Sequence, residues 1–337
     1  VKRVAGSLFG LAYGDALGKP TEFMTVEEID REYGPTGPRD LVGDPALVTD
    51  DTQMALAVAW ALHGVDHLTA DVLEPRIRER FVAWSMSPEN NRAPGMTCLR
   101  AVAGLADDRP WVEATMTGSK GCGANMRVTP VGVLPGLDLD TLAAVSQLQA
   151  AMTHGHPTAL AASELTAYAT RLLVNGEPPA ALVASLRERC DSQRTVYRTD
   201  WLGSLWQQPG ATDERDYLAR GWDECAAVLD RLAAALTAPD DGGDACLATG
   251  AGWIAEEALV TALYCFLRHV DDPVEAIVRG ARTSGDSDSI AALAGAFAGA
   301  AHGMDAWPAH WADRIEYGDQ LSELSQHWSA ADVEQLR

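Results

Sequence analysis

The chain has 337 residues, 47% hydrophobic and 22% charged, with 48 acids against 26 bases and a net charge of −22. Apolar content near the globular average excludes a disordered chain, and the longest apolar run, Ile290–Ala301, is too short and too rich in Ala and Gly for a membrane span of ~20 residues. The acidic balance makes nucleic acid and anionic lipid poor partners and leaves carboxylates to spare for hard cations.

Apolar residues recur at helical spacing almost from the start, beginning with the face Val4, Leu8, Leu11 and Ala12. Gly6, Gly10, Gly14 and Gly18 form a second stripe on the same segment. Glycine costs ~1 kcal/mol against alanine inside a helix. A whole stripe therefore points to close approach by another helix or by a ligand. A break at Gly34–Pro45 is followed by Thr49-Asp50-Asp51-Thr52, which opens the amphipathic run Gln53–His63. That string reads as an ordinary helix cap with acids suited to the macrodipole. It also reads as a set of oxygens turned toward one cation, because cap backbone angles leave the helical region.

Further breaks fall at Ser87–Gly95 and Asp107–Gly123. The second runs into Ser119-Lys120-Gly121-Cys122-Gly123-Ala124-Asn125-Met126-Arg127. This lacks Walker A spacing and is either a plain glycine-rich turn or a phosphate cradle of backbone N–H groups, with Lys120 adding charge. Lys120 stands out because only Lys2 and Lys19 are lysines besides it. Val128–Leu134 alternates like a strand, but Pro130 argues against one. Thr153-His154-Gly155-His156-Pro157 follows, with histidines placed to contact a ligand or merely to sit in a turn. No third His or Cys stands near enough to suggest zinc.

Helical faces resume at Leu160, Leu165, Leu172 and Leu173. Breaks at Gln207–Thr212 and Pro239–Gly252 precede Gly252-Trp253-Ile254-Ala255-Glu256-Glu257-Ala258-Leu259, which opens a helix through Leu263 and Phe266. Ser284-Gly285-Asp286-Ser287-Asp288-Ser289 then opens the run Ile290–Gly303, whose Gly295, Gly299 and Gly303 make another glycine stripe. The 12-residue EF-hand loop is absent. Trp307, Trp311 and Trp328 near the end read as core packing or a subunit contact, and the oligomeric state is not readable. His63, His67, His269, His302, His310 and His327 read as surface or core polar groups.

With so little strand pattern, the expectation is an all-α protein of ten or more helices. Six cysteines without a CxxC pair read as reduced core thiols. No signal-peptide hydrophobic stretch opens the chain, which adds to the expectation of a cytoplasmic protein. The length allows one large or two modest domains. Two acidic helix starts, each on or near a glycine-striped helix, are expected to face each other across one site. That would require a single domain over 1–337. An all-oxygen donor set favours Mg²⁺ or Mn²⁺ over Zn²⁺. With Glu22 included, the carboxylates suffice for two ions about 3.5–4 Å apart.

Taken in order, these strings resemble the ADP-ribosylglycohydrolase family. The resemblance rests on Gly6–Gly18, Glu22-Phe23, Thr49–Thr52, Ser119–Arg127 with Pro130-Val131-Gly132, Thr153–Pro157, Gly252–Leu259 and Ser284–Ser289. It implies a compact, largely orthogonal helical domain with a di-magnesium site at helix N-termini. Thr49, Asp50, Asp51, Asp286, Asp288 and Ser289 fall on its metal-ligand positions. Glu22 falls on an acidic residue that gates the site, Ser119–Gly123 on the segment around the pyrophosphate, and His154 on a residue lining the ADP-ribose cleft. Many members carry Asn where this chain has Cys122, and Thr where it has Ser289. A backbone N–H contact at Cys122 would survive that change; an amide side-chain contact would not.

The implied activity is metal-dependent hydrolysis at the anomeric carbon of the distal ribose, releasing ADP-ribose from a modified acceptor. ADP-ribosylarginine on protein is the leading substrate, and Glu22, Asp50 and Asp51 are the candidates for moving the proton. An O-linked acceptor, serine or a small molecule, and a non-catalytic ADP-ribose binder or structural relative are the alternatives.

Overall fold

The computed structural model describes residues 2–207 and 210–335. These form an all-α protein of 17 α-helices with short 3-10 turns between them. The described residues pair only as isolated bridges and form no sheet. The segment with strand-like alternation becomes a short helix, Thr129–Val133, with Pro130 in its first turn, where a missing N–H costs nothing. Of the expected breaks, the one at Gln207–Thr212 contains residues 208–209, which lie outside the described residues.

Two helices, Lys2–Gly18 and Ser287–His302, are buried around most of their circumference. This explains why neither sequence shows a polar face. Their glycine stripes meet each other. A Cβ on Gly10 would lie 2.2 Å from the Gly295 carbonyl oxygen, one on Gly6 2.6 Å from that of Gly299, and one on Gly14 2.0 Å from that of Ala291. The pairs run in opposite order, so the helices are antiparallel and in backbone contact. Of the two uses foreseen for the stripes, close helix–helix approach is the one the fold makes of them.

The antiparallel contact delivers the end of the first helix to the start of Ser287–His302. Gly18 packs against the Ser287 carbonyl and the Asp288 backbone. Thr21 locks the following turn in place, its hydroxyl lying 2.6 Å from the Ala281 carbonyl and 3.1 Å from Ser287 Oγ. Glu22 is thereby held beside the Asp286–Ser289 string. The Pro157–Val174 helix packs behind both and against Leu139–Ala151 and Glu214–Thr237. All six cysteines are free and buried, and Trp307, Trp311 and Trp328 are core residues. Among the described residues, no helix is long and apolar enough to cross a membrane.

Candidate active site

Both acidic strings become helix starts, each beginning a few residues earlier than its apolar run suggested. Thr49 is the N-cap of Asp50–Leu62, with extended backbone and its hydroxyl accepting from the Asp51 N–H at 3.3 Å. Asp50 and Asp51 lie in the first turn. Asp286 occupies the cap position of Ser287–His302 but makes no capping bond with its side chain. The carboxylate is thus available for another task, and it lies where carboxylate oxygens of Glu22, Asp286 and Asp288 come within 4.8 Å of one another. Ser289 Oγ donates to Asp51 Oδ2 at 2.8 Å, joining the two helix starts.

These groups floor an open cavity of about 350 Å³. Its lining includes Glu22, Asp50, Asp51, Asp286, Asp288 and Ser289 on one side and Gly121, Cys122, Gly123 and His154 on another. No Lys or Arg is among the lining residues. Carboxylates gathered without a cation hold their protons tightly. Burial first and Asp288 second push Glu22 up to about 9 and Asp50 up to about 7. The same two causes raise Asp51 and Asp286 well above the usual carboxylate range. An all-oxygen set of this charge fits hard divalent cations, which would replace the protons.

Several residues that sequence reasoning did not single out position this centre. Asp15 is wholly buried and accepts from Thr49 Oγ1 at 2.8 Å, Thr52 Oγ1 at 2.6 Å, and the backbone N–H groups of Thr49 and Thr52 at 3.0 and 3.1 Å. It therefore fixes the loop that presents Asp50 and Asp51, while Thr49 itself stands behind the cavity wall. Asp15 lies inside a matching string, and as the one acid of the helix Lys2–Gly18, amid Gly, Ala and larger apolar residues, it was itself a signal. The wall from Ala93 to Cys98 was also missed. Its Gly95 N–H donates to Asp50 Oδ2 at 3.1 Å.

Three residues of the glycine-rich segment are engaged within the chain. The Lys120 ammonium is bound by Glu224 at 2.7 Å and by Glu256, and it does not line the cavity. Its charge is spent on anchoring the segment to two helices. Glu256, in the first turn of Ala255–Arg268, belongs to this anchor. The Cys122 N–H donates to the Trp253 carbonyl at 3.0 Å, so the backbone contact expected at Cys122 is already used within the chain. Ser119 Oγ lies 2.9 Å from Thr97 Oγ1 and accepts from the Gly121 N–H at 3.4 Å, so it braces two lining residues without being one itself. Gly121 and Gly123 do face the cavity. A Cβ on Gly123 would meet Cys98 Sγ at 2.8 Å and the His154 ring at 3.0 Å, so glycine here permits close packing.

His154 is buried and bordered by a hydrogen-bond chain. Arg127 Nη2 donates to Thr153 Oγ1 at 2.8 Å, and Thr153 Oγ1 lies 2.8 Å from His154 Nδ1. A guanidinium only donates, so Arg127 takes one lone pair of the hydroxyl and leaves its hydrogen free to be donated to His154. With that hydrogen turned toward His154, Nδ1 is the acceptor and Nε2 carries the proton. Burial and the Arg127 charge push His154 down to about 3. It is a neutral imidazole at the cavity wall.

An all-α fold that joins two acidic helix starts on the floor of an open cleft defines a protein whose centre fits divalent cations. Comparison with known proteins gives the family. The ADP-ribosylglycohydrolase family model matches residues 1–336. The chain is 27% identical over 326 residues to the ADP-ribosyl-[dinitrogen reductase] glycohydrolase of Rhodospirillum rubrum, covering 93% of this chain and 90% of that protein. It is 25% identical to the ADP-ribosylarginine hydrolase Tri1 of Serratia proteamaculans, covering 96% and 78%. It is 24% identical to the ADP-ribosylhydrolase ARH3 of Homo sapiens, covering 97% and 92%. A solved structure titled ADP-ribosylglycohydrolase-related protein complex superposes with a TM-score of 0.67 at 25% identity, over 98% of each chain. The chain belongs to the ADP-ribosylglycohydrolase family, a family of ADP-ribosyl hydrolases.

Proposed function

We propose that this protein hydrolyses the bond between the anomeric carbon of the distal ribose of ADP-ribose and a modified acceptor, with ADP-ribosylarginine on protein as the substrate. The observation that carries the reading is the joining of Asp51 to Ser289 beside the Glu22, Asp286 and Asp288 carboxylates, on the floor of one cavity. The arginine acceptor is supported by the relatives named for that substrate or for ADP-ribosylated dinitrogen reductase. Because residues near both ends of the chain build this centre, we read 1–337 as one domain.

Asp50, Asp51, Asp286, Asp288 and Ser289, with Thr49 behind them, would hold two Mg²⁺ or Mn²⁺ ions. Such ions supply a Lewis acid for the ribose hydroxyls and lower the pKa of a bound water. The chain's own groups do the rest. Glu22, half-buried at the edge of the carboxylate group, takes the proton of the attacking water, with Asp50 and Asp51 as its neighbours. The surrounding carboxylates favour the positive charge that develops at the sugar. His154 donates from Nε2 to the bound ADP-ribose, and Gly121 and Gly123 leave room for it.

Release of free ADP-ribose from ADP-ribosylated arginine, serine and small-molecule acceptors, measured with Mg²⁺, Mn²⁺ or EDTA, tests the reading. Cation-dependent release from the arginine adduct is expected. Release from the serine adduct alone would shift the assignment to an O-linked acceptor, and ADP-ribose binding without turnover would make the protein a binder.

A further inference from the structure

Two aromatic side chains at the cavity mouth have no part in the chemistry described so far. Phe23 is 70% exposed and Trp253 43% exposed, and their rings stack at 5.7 Å between centroids with planes 14° apart. Phe23 also has a backbone φ of +68°, a conformation that bulky L residues avoid. Strain of this kind persists where the surroundings impose it, and it gathers at ligand clamps. An exposed Phe on strained backbone adds little to the core.

Both rings hang from residues next to the carboxylates. Phe23 directly follows Glu22. Trp253 follows Gly252, where a Cβ would touch the Asp286 side chain at 3.3 Å, and its carbonyl is held by the Cys122 N–H at 3.0 Å. Both rings line the cavity beside the carboxylates, within reach of a group attached at the reaction centre. The charge of the cavity selects what that group can be. Its lining holds five carboxylates and no Lys or Arg. Planar, weakly hydrated cations stack on aromatic faces, and the guanidinium of arginine is the side chain most suited to this.

We propose that Phe23 and Trp253 form the platform for the acceptor guanidinium and set the preference for arginine-linked over hydroxyl-linked ADP-ribose. This rests on the hydrolase reading above. In the reaction, water oxygen bonds to the anomeric carbon, the carbon–nitrogen bond breaks with its electron pair going to nitrogen, and a water proton ends on that nitrogen. The guanidinium is cationic before and after, so the platform holds the acceptor in substrate and product alike.

The test compares Phe23→Ala, Trp253→Ala, the double variant and Trp253→Phe. For the arginine adduct, the double variant is expected to lower kcat/KM about 10-fold, mainly through KM, the scale of a lost cation–π contact. Trp253→Phe should keep most of the wild-type value. Turnover of the serine adduct and the affinity for free ADP-ribose should not change. Weaker ADP-ribose binding would place a part of the nucleotide on the rings and overturn the proposal. Equal losses on both adducts, or no loss, would overturn it too. A separate titration with agmatine, read as quenching of Trp253 fluorescence against Trp253→Phe, keeps the two readings apart. Agmatine binding without hydrolysis of the arginine adduct would retain the platform and sink the hydrolase assignment. Hydrolysis without agmatine binding would do the reverse.

Discussion

Ser289 Oγ donates a 2.8 Å hydrogen bond to Asp51 Oδ2 across 238 residues of sequence. That bond turns two acidic helix starts, each unremarkable by itself as a capped N-terminus, into one centre. The glycine stripes make it possible. Backbone contact between Lys2–Gly18 and Ser287–His302 sets the two helices in register, and the turn after Gly18 brings Glu22 to the same place.

Crowded carboxylates destabilise the protein unless something offsets their charge. Asp288 is the neighbour that most raises Glu22, Asp50, Asp51 and Asp286 after burial itself. Asp288→Asn keeps the shape and the bond from the Ser289 N–H while removing one charge. In EDTA its melting temperature is expected to rise by about 2 °C, on the scale of a kcal/mol of relieved repulsion. Mg²⁺ should stabilise the wild-type protein by mass action and leave the variant almost unchanged. Hydrolysis should fall by about 100-fold or more, as when Lewis-acid stabilisation is lost. A lower melting temperature in EDTA would show that Asp288 is structural.

Asp15 acts on the centre through Thr49 and Thr52. Asp15→Asn places an NH₂ group against donors that need an acceptor. The expected result is a loss of about 10–100-fold in cation affinity, as for other residues that orient ligands. Calorimetric titration with Mn²⁺ measures it. Helical circular dichroism should be retained, and unchanged affinity would restrict Asp15 to a packing role.

Much of this centre is legible in the sequence because it is built from contiguous strings at helix starts. Thr49–Asp51 and Asp286–Ser289 advertise themselves by composition, and the glycine stripes by periodicity. What is not legible is where a side chain turns. Lys120 was the rare cation in a glycine-rich loop and suggested a phosphate. Yet Glu224 and Glu256, remote in sequence, claim it. The Cys122 N–H looked available to a ligand, but the antiparallel bridge between Gly121 and Ile254 gives it to Trp253. The Ala93–Cys98 wall carries no motif, and it enters the site through contacts remote in sequence, Gly95 to Asp50, Thr97 to Ser119 and Cys98 to Gly123.

The helix contact itself predicts a steep steric penalty. Gly10→Ala would place a methyl group 2.2 Å from the Gly295 carbonyl oxygen and 2.6 Å from the ring of Trp307, a core residue, so neither neighbour is the loose end of a flexible side chain. Overpacking of this kind costs about 1–3 kcal/mol or more. The higher helix propensity of alanine returns only ~1 kcal/mol. Thermal unfolding should show clear destabilisation, and cation affinity should weaken as the register between the two acidic starts shifts. Gly64→Ala, at a glycine with nothing within 4 Å and a φ of +70°, serves as a control that destabilises without touching the centre.

His154 sets the last expectation, and its sign follows from burial. The folded protein holds His154 neutral down to about 3, whereas an unfolded chain protonates near 6.5. Between those values the unfolded state binds more protons, so stability is full above about 6.5 and is lost as pH falls. His154→Gln removes that contribution. Its stability should decline less than the wild type's between pH 6 and 5, by up to about 1 kcal/mol per pH unit. The tautomer gives an independent check. Nitrogen NMR of the wild-type protein should show His154 with bare Nδ1 and protonated Nε2, unchanged down to pH 5. In Thr153→Val the hydroxyl beside Nδ1 is gone, so an Nε2–H form held by it loses its enforcement and hydrolysis should fall with it. A protonated Nδ1 in the wild type would mean that Thr153 accepts from His154, and that Nε2 faces the cavity as an acceptor.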